Sequence, residues 1–344
     1  MSDQDPPHPR RVRYQGTHPR RFEEKYKELS PEQHAAELDK VMARGQTPAG
    51  THRPIMVDEI LEALDPRPGE MALDATLGYG GHTRELLPRL LPGGRLVGLD
   101  VDPLELPRTE ARLRGLGFDE DTLLVRRMNF AGLARVRAEF GAFDLVLADL
   151  GVSSMQLDNP ARGFSWKADG PLDLRLNPQR GRSAAELLAT LDERTLAELL
   201  VENSDEPHAI AIASRVHGQG ARTTRDLADR VSTALRAEGL ENEEIKRALQ
   251  RTFQALRIAV NDELGVLGQF LALLPSVLNP GGRVAILSFH SGEDRRVKKA
   301  FLQGLREGIY ETIAPDPRRA SPEERRSNPR STSAKLRWAR LPRD

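Results

Sequence analysis

Three short apolar runs that each end in aspartate constrain the fold more than any other feature. They are the one ending in Leu73-Asp74, then Arg95-Leu96-Val97-Gly98-Leu99-Asp100 and Phe143-Asp144-Leu145-Val146-Leu147-Ala148-Asp149. Runs this short and continuously apolar suit strands covered on both faces, as in a parallel sheet flanked by helices. Helical patterns separate them, so the expected core is an open α/β sheet that delivers Asp74, Asp100 and Asp149 to one edge. Ligands bind at that edge in folds of this kind. The loop after the first run, Leu77-Gly78-Tyr79-Gly80-Gly81-His82, adds glycines that let backbone come close to a ligand, followed by the start of a helix.

Asp100 falls nineteen positions after Gly81, where a βαβ unit places a carboxylate able to accept hydrogen bonds from ribose hydroxyls. The cofactor is then a nicotinamide dinucleotide or S-adenosylmethionine. A carboxylate as close to the loop as Asp74 disfavours a pyrophosphate and suits a ligand with an amino group and a sulfonium, so adenosylmethionine is expected. The chain has no cysteine, which excludes disulfides and thiolate chemistry, and its eight histidines show no metal-ligand spacing. No metal is expected. With 51 Lys+Arg against 51 Asp+Glu, any surface for nucleic acid must be local. No apolar run approaches the ~20 residues of a membrane span, so the expected location is the cytoplasm.

The order of elements divides the chain. Residues 1–50 are polar, rich in Arg, Pro and Glu, and read as a solvated extension. Residues 51–155 and 251–344 carry the α/β pattern, with a fifth strand at Arg283–Phe289 and a last one at Lys335–Leu341. Between them, 156–250 shows helical periodicity without a strand signal and is expected to be an inserted all-α domain. The last 30 residues hold nine Lys/Arg against four Asp/Glu, and cations along one face of the final strand make Arg330, Lys335, Arg337 and Arg340 candidate phosphate contacts. Trp166 is a candidate for stacking on a base, though sealing the insertion against the sheet explains Phe164 and Trp166 equally well.

Several blocks together carry a resemblance: Asp74–Thr83, Asp149–Asp158, Arg162-Gly163-Phe164-Ser165, Asp169–Asp173, Arg251–Ile258, Asn261–Leu264 and Ser288–Ser291. In this order they resemble the RsmH (MraW) family of small-subunit ribosomal RNA cytosine 4-amino methyltransferases, over nearly all of the chain beyond residue 50. The sequence departs from the family pattern at Ala75, Leu77 and Gly292, and it lacks the His-Pro usual before Arg251. The resemblance implies a class I (Rossmann-like) methyltransferase sheet, with S-adenosylmethionine held by Gly80, Gly81, His82, Asp100, Phe130, Asp149 and Gln156. It implies 16S rRNA in the small ribosomal subunit as partner, with the target cytosine in the decoding region. Oligomeric state, a homodimer included, stays open. For catalysis, Asp149 is the candidate acceptor for the cytosine amine and His290 a second candidate at the fifth strand end. A methyltransferase for proteins or small molecules, or a non-catalytic RNA-binding assembly factor, are the competing functions.

Overall fold

The computed structural model describes residues 54–343 apart from Gln219; the 1–50 extension lies outside the described residues. Helix α1 (Val57–Leu64) buries Val57, Ile60 and Leu64 at helical spacing. Strand β1 (Met71–Asp74) leads through the glycine loop into α2 (Gly81–Leu90). Strand β2 (Arg95–Asp100), α3 (Glu105–Gly115), β3 (Leu123–Arg127), α4 (Leu133–Phe140) and β4 (Phe143–Asp149) follow in strict alternation. After β4 come the short α5 (Ser154–Asp158) and a long connecting strap, then five helices: α6 (Ala184–Thr190), α7 (Glu193–Ser204), α8 (Ala209–Val216), α9 (Thr224–Ala237) and α10 (Asn242–Asn261). Helix α11 (Glu263–Val277), β5 (Leu278–Ser288), α12 (Ser291–Arg306), β6 (Thr312–Ile313), α13 (Pro322–Ser327) and β7 (Lys335–Arg340) complete the chain.

The seven strands form one sheet in the order β3-β2-β1-β4-β5-β7-β6. Strands β1 to β5 run parallel and β7 runs antiparallel to both its neighbours. This is the class I methyltransferase arrangement. Alternating side chains feed two separate cores, as the pleat requires. Leu73, Val97, Val146 and Ile286 face α4, α11 and α12, packing with Leu133, Phe270, Leu274 and Phe301. Ala72, Leu96, Leu147 and Leu287 face α1, α2 and α3, packing with Ile60, Leu64, Leu87 and Leu113.

The insertion has a third core of its own, built around Leu188, Leu196, Leu200, Ile212, Leu227 and Val231. Its helices start where side chains satisfy the first-turn amides: Ser183 pairs with Glu186 in a capping box, Asp192 accepts from Thr195 N, and Thr223 accepts from Asp226 N. The expected boundary at 251 falls inside one continuous helix. Phe253 and Leu256 belong to the insertion's core, so the helical layer runs on to Asn261 and α11 is the first element back on the sheet. The sheet runs on past the expected strands at one place: β6 contributes two residues, pairing Thr312 with Arg340 and Ile313 with Ala339. Among the described residues no single helix is long and apolar enough to cross a membrane.

Candidate active site at the carboxyl edge of the sheet

Loop geometry follows from the parallel sheet. Beyond β1, Ala75 N donates to Leu147 O and Leu77 N to Leu99 O, so the loop is pinned to both neighbouring strands. Gly78 and Gly80 adopt φ of 49° and 76°. A Cβ on Gly80 would stand 2.9 Å from Leu113 Cδ1, which adds a packing reason for glycine there. Helix α2 begins without a side-chain cap hydrogen bond, so its first amides are available to an anionic group on a ligand.

Asp74 turns out to be a bracket for this loop. It is buried, accepts from the Thr83 hydroxyl at 2.7 Å and from Thr76 N at 3.2 Å, and burial raises its pKa. Asp100 presents the outward carboxylate expected for a ribose. One of its oxygens accepts from Gly78 N at 2.8 Å and the other from Asp102 N at 2.9 Å, and burial pushes its pKa up to about 6. Each oxygen keeps a lone pair for a ligand hydroxyl. Met128 N donates to Asp100 O and ties the end of β3 to that of β2, with Phe130 two residues further on. The Phe130 ring is half-buried, edge-on to Phe270 with centroids 5.2 Å apart, and flat enough to pack against a base. The loop amides, Asp100 and Phe130 lie where the resemblance implies contacts to the carboxylate, ribose and adenine of S-adenosylmethionine. When bound, this cofactor supplies a methyl group made electrophilic by its sulfonium.

Asp149 lies at the end of β4 with 30% of its side chain exposed, its amide donating to the Thr76 hydroxyl. His82 Nδ1 approaches its carboxylate to 3.5 Å. The other ring nitrogen, Nε2, is 3.0 Å from Ile55 O. A carbonyl can only accept, so Nε2 carries a proton and Nδ1 is left to face Asp149. Burial pushes the Asp149 carboxyl up to about 6; His82 opposes this, while the Asp74 and Glu293 carboxylates add to it.

At the end of β5, His290 is buried beside Glu293, with Nε2 3.2 Å from Oε1 but neither ring nitrogen in a well-aligned hydrogen bond. Glu293 Oε2 accepts from Phe289 N at 2.8 Å. Glu263, His290 and Glu293 bring ligand atoms within 4.8 Å of one another, the nearest thing to a metal-binding trio among the described residues. Arg257, however, donates to both oxygens of Glu263 at 2.8 Å and supplies the positive charge there. The arrangement reads as a charge network.

Gln156 is held by the protein at both ends of its side-chain amide. Its Oε1 accepts from Ser153 N in a capping box, and its Nε2 donates to Asp102 at 2.8 Å. Asp102 is wholly buried and also receives Arg162 Nη1 at 2.7 Å. Arg162 Nη2 continues to the carbonyls of Arg175 and Leu176. This chain, absent from the sequence-level reading, links the ribose carboxylate to the strap; the signal for it was the doubled acid Asp100-Val101-Asp102 and the arginine of Arg162-Gly163-Phe164. The blocks Arg251–Ile258 and Asn261–Leu264 act in the same way. Arg251 pairs with buried Glu206 at 2.8 Å, and the Asn261 amide accepts from Leu176 N and donates to Leu174 O.

The expected cationic face on β7 is corrected. Arg337 is buried, and both it and Lys335 donate to Asp294, at 2.7 and 2.8 Å. Arg330 pairs with Asp158 at 2.8 Å, and Arg340 is half-buried with its Nε enclosed in protein. Lys335 and Arg337 are engaged internally because α12 lays Asp294 across the strand. Trp166 packs on Phe253 with ring centroids 5.3 Å apart, and Phe164 is in the insertion's core. Sealing is what the contacts of these two rings accomplish.

A family profile described as the MraW methylase family matches residues 49–341. The chain is 53% identical to Ribosomal RNA small subunit methyltransferase H 2 of Alkaliphilus metalliredigens (strain QYMF), covering 98% of this chain and 99% of that protein. It is 54% identical to Ribosomal RNA small subunit methyltransferase H 1 of Lachnoclostridium phytofermentans, over 98% of this chain and 94% of that one. Among solved structures, TrmN from Thermus thermophilus aligns over 83% of this chain and 48% of its own, with a TM-score of 0.40 and 15% identity.

Proposed function

Because the chain belongs to the MraW methylase family, we propose that it uses S-adenosylmethionine to methylate small-subunit ribosomal RNA, at the exocyclic 4-amino group of a cytosine in the decoding region, in the cytoplasm. The observation that carries the reading is Asp149: a carboxylate at the β4 end, opposite His82 and one strand from the glycine loop, with its pKa pushed up to about 6.

The exocyclic amine of cytosine is a weak nucleophile because its lone pair is delocalised into the ring. Asp149 accepts a hydrogen bond from the amine and so favours the geometry in which that lone pair is free to attack. A carboxylate of pKa about 6 is ionised at neutral pH yet more basic than a solvated one, which suits a proton acceptor. Asp149 takes up the proton that the methylated amine loses and returns it to solvent through the exposed part of its carboxylate. Positioning supplies the rest of the rate: the pinned loop and the uncapped α2 terminus would hold the methyl donor, which would supply the electrophilic methyl group.

Nucleoside mass analysis of small-subunit rRNA from a deletion strain tests the reading. We expect 4-methylated cytidine to disappear and to return with the wild-type gene. Its persistence in the deletion strain would refute the assignment.

A further inference from the structure

Helix α12 starts at Ser291, directly beyond His290 at the mouth of the site. Its charges divide cleanly between two faces. The inward acids are consumed: Glu293 by His290 and the Phe289 amide, Asp294 by Lys335 and Arg337. Val297, Phe301 and Gly304 complete the buried side. Outward, Arg295, Arg296, Lys298, Lys299 and Arg306 are all exposed. At 100° per residue, Arg295, Lys299 and Arg306 fall on one stripe about 16 Å long, with Arg296 and Lys298 on its flanks. Arg295 has only a 3.7 Å approach to exposed Asp205, and Arg296 bonds a carbonyl of its own helix. Lys298, Lys299 and Arg306 have no acidic partner among the described residues.

We infer that the outer face of α12 is the surface on which the phosphate backbone of the RNA substrate docks. This rests on the rRNA reading above and deepens it: the phosphate contacts lie on α12 and not on β7, where Asp294 neutralises Lys335 and Arg337. The physical case is complementarity. A row of cations without counter-charges, fixed on a helix rooted in the sheet core, meets a polyanion at little ordering cost and releases its counterions. Its N-terminal end adjoins Asp149 and His290 on the β4–β5 edge, so a strand lying along it runs into the catalytic cleft.

The test is equilibrium binding of the full-length protein to 16S rRNA across a salt series. The K298Q/K299Q/R306Q variant is compared with R95Q/R135Q/R137Q, whose cations are equally exposed but include the opposite, amino-terminal edge of the sheet. Each lost phosphate contact lowers the slope of log affinity against log salt by about 0.7–0.9. The α12 variant should therefore lose about two to three units of slope while the control keeps the wild-type slope. Adenosylmethionine affinity, measured on the same preparations, should be unchanged in both and shows that the fold is intact. Equal slopes in all three proteins, or equal losses in the two variants, would overturn the assignment of α12. Methylation of rRNA is read separately by nucleoside analysis, so α12 can fail while the proposed reaction stands. A milder K299Q variant, losing about one unit, covers the case in which the triple variant folds poorly.

Discussion

Replacing Arg162 by methionine probes the buried chain between the cofactor edge and the insertion. The guanidinium lies 2.7 Å from a wholly buried Asp102 and also holds two strap carbonyls at 3.1 and 2.8 Å. Methionine fills much of the volume but leaves the carboxylate without its cation. Removing one partner of a buried pair costs about 3–5 kcal/mol, because an uncompensated charge stays behind. Asp102 still keeps Gln156 and the Leu104 and Glu105 amides, so the lower end, about 3 kcal/mol, applies. At about 2 °C per kcal/mol for a domain of this size, the melting midpoint should fall by about 6 °C. Calorimetry or denaturant titration reads this directly. The D102N/R162M double variant should recover part of the loss, since no charge is left unpaired. A loss below about 1 kcal/mol for R162M, with no coupling to D102N, would refute the claim that this pair holds the strap to the site.

Other substitutions separate chemistry from packing. D149N should lower methyl transfer by at least about 100-fold with little change in cofactor affinity. The wild-type rate should decline below about pH 6 as the carboxyl protonates and can no longer accept. The sign for stability is opposite: the folded pKa of Asp149 is above the unfolded value, so ionisation works against the fold and D149N should raise the melting midpoint at pH 7.5. G80A should cost about 1–2 kcal/mol, because alanine pays for the left-handed φ of 76° and meets Leu113; G115A, with open space around its Cβ, should be neutral or slightly stabilising in the same denaturant assay. D294N should cost about 2–4 kcal/mol near neutral pH by unpairing Lys335 and Arg337. Burial alone would raise the Asp294 pKa, but the hydrogen bonds from Arg337 and Lys335 outweigh it and hold the carboxyl below its usual range. Its contribution is thus present above the unfolded pKa and lost as pH falls through the folded one, so the D294N difference should shrink as pH falls below the ordinary carboxylate range.

Much of this architecture was legible because the parallel strands are apolar from end to end and stop at an acid. β2 and β4 stand where the runs Arg95–Asp100 and Phe143–Asp149 place them, β1 ends at Asp74 as its run does, and β7 fills all but the last residue of the run Lys335–Leu341. The end of the insertion was not legible. An amphipathic helix carries no mark where its apolar face changes partner, and α10 passes through residue 251 without a break. Burial of Arg337 was hidden for a related reason. Alternation in Lys335-Leu336-Arg337-Trp338 reports that cations share a face, but not that Asp294, 43 positions earlier, is packed against it. The cofactor loop could be located from glycine spacing, whereas the jobs of Asp74 and Gln156 depended on partners the chain brings together only in three dimensions. Asp74 became a loop bracket through Thr83, and Gln156 a brace through Asp102.

The placement of the insertion also bears on how the molecule assembles. β4 and β5 are central neighbours in the sheet, yet everything from Leu150 to Val277 lies between them. Closing so long a loop from a disordered chain is slow, since its entropy is spent before any strand pairing repays it. The insertion's helices pack on their sequence neighbours, α7 with α8, α8 with α9 and α9 with α10, and α10 returns to pack on α7, so the bundle closes within the insertion and can form early. Once formed, they draw the ends of the loop together and shorten the search of β5 for β4. In this sense the insertion is a folding device for the sheet as well as a wall of the cleft, and loosening its core should slow refolding more than it speeds unfolding.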